Sequence, residues 1–207
     1  MQFTDADRNT LSDILRWRRD MRHFHRDPVP EPVLDRLRAA MDMAPSVGNA
    51  RPWRVMRVRS PALRTAVTDE FTRCNDQAAA RYDDATRAEY LRLKLAGLVE
   101  APEHLAIFTE TDPSAGRGLG RQTMPETLAY STVMAIHTLW LAARAENIGL
   151  GWVSALDPAR ITAILNAPRE WRFTAYLCLG YPERQDDTPL LHRVGWQENA
   201  ATVWKQV

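Results

Sequence analysis

The chain has 207 residues, 45% of them hydrophobic and 26% charged, with 27 basic against 26 acidic side chains and a net charge of +1. That length suits one domain with a sizeable core, and the near-cancelled charge argues against a general nucleic-acid binder, which needs a basic excess to neutralise phosphates. The two cysteines, Cys74 and Cys178, have no second Cys or His at metal-ligand spacing, so no metal is expected.

The stretch "MQFTDADRNT" shows no basic region followed by an apolar run, and no apolar run approaches the length of a membrane span. The expected compartment is the cytoplasm, with no membrane partner. Thr10 or Ser12 is expected to cap a first helix that carries Ile14, Leu15 and Trp17 and ends near "RRDMR". The prolines of "RDPVPEPV" stop it, and Pro32 opens a second helix that buries Val33, Leu34, Leu37 and Met41 at helical spacing and ends at Pro45. "APSVGNARPW" reads as an irregular loop, and "WRVMRV" alternates like a strand.

From Pro61 to about Gly97 the pattern is helical but polar, as at a rim, a partner surface or a mobile cover. "HLAIFTE" is a second strand. The glycine-rich "TDPSAGRGLGRQ" lacks a following Lys-Ser or Lys-Thr and so is no P-loop. Met124 to Asn147 is the most apolar helix and is expected to be central and buried, with Gly149 and Gly151 ending it and His137 a hydrogen-bonded core residue. "GWVSAL" leads to a short helix from Pro158 to Leu165, and "RFTAYLCLGYP" is the last strong strand. Helices alternating with short apolar runs give an α+β class, a central sheet packed by helices. The tail keeps Leu190, Leu191, Val194, Trp196, Val203 and Trp204, apolar enough to pack on something.

Three stretches are candidate sites, each with a plainer reading beside it. Arg18, Arg19 and Arg22 surround Asp20 and can bind a phosphate in bidentate fashion. They can equally form a solvated helix face, with Arg16 and Asp20 as an i,i+4 pair. Ser46, Gly48 and Asn49 offer a hydroxyl, a permissive backbone and an amide, or simply a turn. Gly149 and Gly151 in "GLGWVSAL" allow close backbone approach beside Ser154, without the spacing of a nucleophile elbow. Helix termination explains those glycines equally well.

Taken in order, "RRDMRHF", "APSVGNARPWRV", "LKLAGLVEAPEHLAIF", "GLGWVSAL" and "LGYPE" resemble the nitroreductase-like flavoprotein superfamily over nearly the whole chain. Within it the chain is most similar to the BluB-type 5,6-dimethylbenzimidazole synthases. Ordinary nitroreductases usually have a serine where this chain has Asp20, whereas the synthases have aspartate there and a serine at the position of Ser154. The tail "DTPLLHRVGWQE" is similar to the synthase C-terminus as well. Arg51 departs from the pattern, which commonly has glutamine.

The resemblance implies an α+β nitroreductase-like fold with a mainly antiparallel sheet, in one domain over 1–207. It also implies a homodimer, a cover around residues 71–98 and a dimerisation arm around residues 186–207. It places FMN against Arg18, Arg19, Asp20, Met21 and Arg22, with the arginines neutralising the phosphate. Ser46, Gly48, Asn49, Leu95, Gly151, Ser154 and Arg193 are implied as further FMN contacts. Asp20 would be the acid/base and Ser154 its hydrogen-bonding partner. The implied reaction consumes reduced FMN, supplied by a separate flavin reductase, with O2. The ribityl C1′ becomes C2 of dimethylbenzimidazole, the lower ligand of vitamin B12, and erythrose 4-phosphate is released. The alternatives are an NAD(P)H-dependent FMN nitroreductase or flavin reductase on the same fold, and a non-catalytic flavin-binding protein.

Overall fold

The two longest strands are buried on both faces, and the sheet divides the interior into two cores. The computed structural model describes residues 1–93 and 96–207. Its strands are β1 (Trp53–Arg57), β2 (Glu103–Glu110), β3 (Gly149–Val153) and β4 (Trp171–Gly180). Among the described residues they form one antiparallel sheet in the order β1-β2-β4-β3. The helices are α1 (Asp5–Trp17), α2 (Glu31–Met41), α3 (Pro61–Ala79), α4 (Asp84–Arg92), α5 (Thr127–Ala145), α6 (Pro158–Ile164) and α7 (Leu190–Arg193).

Successive side chains of a strand point to opposite faces. Ile107, Ala175, Leu177 and Leu179 therefore join Leu37 and Met41 of α2 and Ala135, Ile136 and Leu139 of α5 in one core. Ala106, Phe108, Tyr176 and Cys178 join Val67 of α3 and Ile161 of α6 in the other, together with Met21 and Phe24. Each fully buried aliphatic or aromatic side chain of this kind contributes roughly 1.5–3 kcal/mol. A bulge between Ile107 and Phe108 leaves Thr174 unpaired in the ladder, where its hydroxyl meets that of Thr109 at 2.7 Å.

Several helix ends differ from the sequence expectation. The cap of α1 is Thr4, not Thr10 or Ser12: Thr4 and Asp7 form a capping box. The hydroxyls of Thr10 and Ser12 instead donate back to Ala6 O and Arg8 O. The second helix stops at Met41, short of Pro45. The polar segment after Pro61 is two helices and not one, because Asp83 caps a new start by accepting from Thr86 N–H at 2.9 Å. Gly149 and Gly151 do not end α5. Asn147 does, in the left-handed region at φ 59°, and both glycines lie in β3. His137 is exposed on α5, beside the exposed Tyr130, Val133 and Met134. The buried histidine is His104, whose Nδ1 lies 3.0 Å from the Tyr176 hydroxyl.

Candidate active site

The chain leaves α1 at Trp17 and runs extended past the free edge of β3, so Asp20 is not on a helix and does not pair with Arg16. Met21 N–H donates to Leu150 O at 3.0 Å, a parallel bridge that aligns Asp20 with Leu150. The close approach depends on glycine. A Cβ on Gly151 would lie 2.0 Å from Met21 O, so any other residue would push the segment away. The next residues continue the ladder, with His25 N–H donating to Tyr181 O at 2.8 Å.

This register fixes the Asp20 carboxylate. Its Oδ1 accepts from the backbone N–H of Trp152 at 2.8 Å, and its Oδ2 accepts from Arg22 Nε at 2.8 Å. Hydrogen bonds to a charged group are each worth about 1.5–3 kcal/mol, so the side chain has one strongly preferred orientation. It remains 30% exposed and accessible, whereas Arg22 is only 14% exposed. Directly across the ladder from Gly151 sits Cys178. Burial, and then the charge of Asp20, push its thiol well above the usual range, so it acts as packing and not as a nucleophile.

The arginines divide into three roles. Arg22 holds Asp20. Arg19 donates to Asp187 O through Nε at 3.0 Å and through its terminal nitrogen at 2.7 Å, which pins the segment after β4 against the end of α1. Arg16 reinforces that pin through the Asp187 carboxylate, holding its pKa below the ordinary aspartate value. Arg18 turns to the other side and lies over the Trp140 ring, 4.9 Å from its centroid. Burial and the neighbouring Arg19 lower its pKa, partly offset by Asp20.

Arg19, Asp20, Met21, Arg22 and Arg193 line a common cavity of about 610 Å3, together with Glu183, Arg184, Asp186 and Thr188. That volume falls within the roughly 300–1,000 Å3 of small-molecule sites. Its guanidinium groups beside the anchored Asp20 carboxylate suit a phosphate monoester with a reacting centre close by. Arg193 is also paired with Asp186. Gly151 is buried behind Met21, and Ser154 is exposed just beyond the end of β3, two residues after the Trp152 amide.

Arg18, Ser46, Gly48, Asn49, Gly151 and Ser154 do not line this cavity. Ser46 Oγ accepts from Arg51 N–H at 3.0 Å, and Gly48, at φ 56°, packs its backbone against the loop around Gly116 and Leu119. Leu95 lies outside the described residues. Two contacts had no sequence signal: the Trp152 contribution is a backbone amide, and Arg19, expected at the phosphate, acts on a carbonyl oxygen 168 positions away. Among the described residues, no group of His, Cys, Asp and Glu side chains is placed to hold a metal ion, and no helix is long and apolar enough to cross a membrane.

An antiparallel sheet between helical layers, with an arginine-lined cavity beside its glycine-rich edge strand, matches a known flavoprotein fold. The chain belongs to the nitroreductase family, whose signature it matches over residues 15–181. It is similar over 95% of its length to an iodotyrosine deiodinase crystallised with FMN and 3-iodo-L-tyrosine, with a TM-score of 0.75, 21% identity and 99% of that chain covered. Its sequence is 59% identical over 206 residues to a 5,6-dimethylbenzimidazole synthase of Rhodobacter capsulatus, covering 100% of both chains. It is 52% identical over 195 residues to the 5,6-dimethylbenzimidazole synthase of Rhodospirillum rubrum, covering 94% of this chain and 92% of that one.

Proposed function

We propose that this chain is a 5,6-dimethylbenzimidazole synthase, which with molecular oxygen fragments reduced FMN to 5,6-dimethylbenzimidazole and erythrose 4-phosphate. FMN is then the substrate and not a recycled cofactor, and a separate flavin reductase supplies it in reduced form. Full-length identity to synthases supports the reaction class. The single observation that carries the reading is the Asp20 carboxylate, fixed by Trp152 and Arg22 in a cavity lined by four arginines. A phosphate site alone would gain nothing from a carboxylate, which repels the ligand unless it has chemistry to perform.

Bound reduced flavin supplies the electrons that oxygen takes up. The protein supplies proton handling and enclosure. An ionised carboxylate has about four lone-pair positions, and Trp152 and Arg22 occupy one on each oxygen of Asp20. Each oxygen keeps one free, so Asp20 can accept a proton from the flavin and return it. Ser154 presents a hydroxyl that can donate or accept at the end of the same edge strand. Arg19, Arg22 and Arg193 neutralise the phosphate.

The cover is the C-terminal half of α3 with α4, against which Trp196 of the tail packs, 5.9 Å from the Tyr82 ring and 6.2 Å from Tyr90. Enclosure excludes the water that would divert the reaction to peroxide. The working unit in this reading is a homodimer. Leu11, Leu15, Trp17, Tyr130, Val133 and Met134 are exposed apolar side chains on α1 and α5, suited to burial against a second copy. The loop carrying Ser46, Gly48 and Asn49, which is off this chain's own cavity, then reaches the flavin of the partner, and of the expected arm the exposed end, with Val203 and Trp204, is what crosses the interface. Incubating the protein with chemically reduced FMN in air and identifying products by mass spectrometry tests the assignment. Dimethylbenzimidazole is expected, and intact FMN alone would return the family's reductase reading.

A further inference from the structure

Glu70 is 2% exposed, the least exposed carboxylate among the described residues, and it is not part of the site described above. A buried charge is tolerated only when paired and fully hydrogen-bonded. Five donors reach it. Arg73 contributes Nε at 2.9 Å and a terminal nitrogen at 2.6 Å, and the Cys74 thiol contributes one contact at 3.2 Å. All three come from α3, its own helix. The other two come from elsewhere: Arg160 Nε of α6 at 2.7 Å and the backbone N–H of Asp157 at 3.3 Å. Led by Arg73, these bonds hold the Glu70 carboxyl down to about 2 against the opposing effect of burial, so it stays ionised.

The two outside donors both lie at the C-terminal end of the turn that carries Ser154. Within that turn Leu156 N–H donates to Ser154 O at 2.9 Å, and the Leu156 side chain is buried in the core beneath. Asp157 then caps α6 by accepting from Ala159 and Arg160 N–H. The turn is therefore held by β3 at one end and by Glu70 at the other. Glu70 also sits on α3, the helix whose later half begins the cover.

We infer that Glu70 is a positioning residue that clamps the Ser154 turn to the root of the cover, so that the hydroxyl and the enclosing helices are set as one unit. The inference rests on the synthase reading for its chemical consequence, but the clamp itself is a property of the flavin-free protein. Displacement of a reacting group by about 1 Å can cost about a hundredfold in rate. Loosening the clamp should therefore divert turnover from benzimidazole to peroxide and intact FMN, while FMN binding holds.

The test compares Glu70→Gln, Arg160→Met and Arg73→Met in the full-length protein. Arg160→Met removes the shorter of the two links to the α6 side. Arg73→Met removes as much charge but leaves both links intact. Amide hydrogen exchange at Leu156 and Asp157 without flavin should accelerate in Glu70→Gln and Arg160→Met and stay at the wild-type rate in Arg73→Met. Benzimidazole formed per reduced FMN oxidised should fall about tenfold to a hundredfold in the first two and remain near wild type in the third. Equal effects of Arg160→Met and Arg73→Met, or unchanged exchange in Arg160→Met, would reduce the cluster to a core ion pair and overturn the inference. Should Glu70→Gln fail to fold, the two arginine variants still decide. Should the wild type make no benzimidazole, the synthase reading fails, and the exchange measurement alone judges the clamp.

Discussion

The backbone N–H of Trp152 and the Oδ1 of Asp20, 132 positions apart in sequence, meet at 2.8 Å across the free edge of β3. The contact ties the Asp20 carboxylate, among the cavity's arginines, to the hydrogen-bonded sheet. The orientation of Asp20 therefore depends on how closely residues 20–21 can approach that strand.

Gly151→Ala is the direct probe of that approach. Its Cβ would lie 2.0 Å from Met21 O, a backbone atom that cannot move without breaking the bridge to Leu150. Overpacking of this kind costs about 1–3 kcal/mol. Denaturant titration should show that loss, and benzimidazole formation should fall with it. Wild-type stability together with wild-type yield would mean that the segment is not held as described.

Arg22→Ala should weaken FMN more than riboflavin. One charge-assisted contact is worth about 1.5–3 kcal/mol, or roughly ten- to a hundredfold in Kd, and riboflavin has no phosphate to lose it. Titration calorimetry with both flavins measures the difference. Equal losses would show that Arg22 serves Asp20 alone.

His104 should set the onset of acid destabilisation. Its burial, with the nearby Arg64 charge, lowers its pKa from 6.5 to about 4. The unfolded chain then binds a proton that the folded protein refuses, so stability is full above pH 6.5 and falls as pH drops towards 4, by on the order of 3 kcal/mol. Glu70, lowered from 4.5 to about 2, extends the loss below pH 4.5. His104→Gln should flatten the upper part of the profile, between pH 6.5 and 4, and leave the lower part in place. Urea titrations across this range measure both, and an unchanged slope above pH 4.5 would contradict the assignment.

The strands were legible because short apolar runs are a local signal, and in β2 and β4 both faces of those runs are buried. The site was legible in residue types, since Asp20 among arginines is unusual anywhere. Its geometry was not. The sequence signature of a glycine that ends a helix equals that of one that admits a neighbouring chain, and at Gly149 and Gly151 only the tertiary structure decides. The end of α1 at Trp17 was equally hidden, because Arg18 and Arg19 are good helix formers and the bridge to Leu150 overrides them. His137 was read as core from the apolar character of α5, whose outer face is exposed in this chain.

Product analysis of wild type and Asp20→Asn in parallel, starting from reduced FMN in air, tests the central claim most directly. Asparagine keeps the size of the side chain and an acceptor for the Trp152 amide, but it cannot take a proton at neutral pH. General acid/base groups contribute about a hundred- to ten-thousandfold in rate, so dimethylbenzimidazole formation should fall by at least a hundredfold while FMN still binds. The variant should still oxidise reduced FMN, ending as intact FMN and peroxide. Dimethylbenzimidazole from Asp20→Asn at the wild-type rate would contradict the account and leave Asp20 as a charge that merely balances arginines.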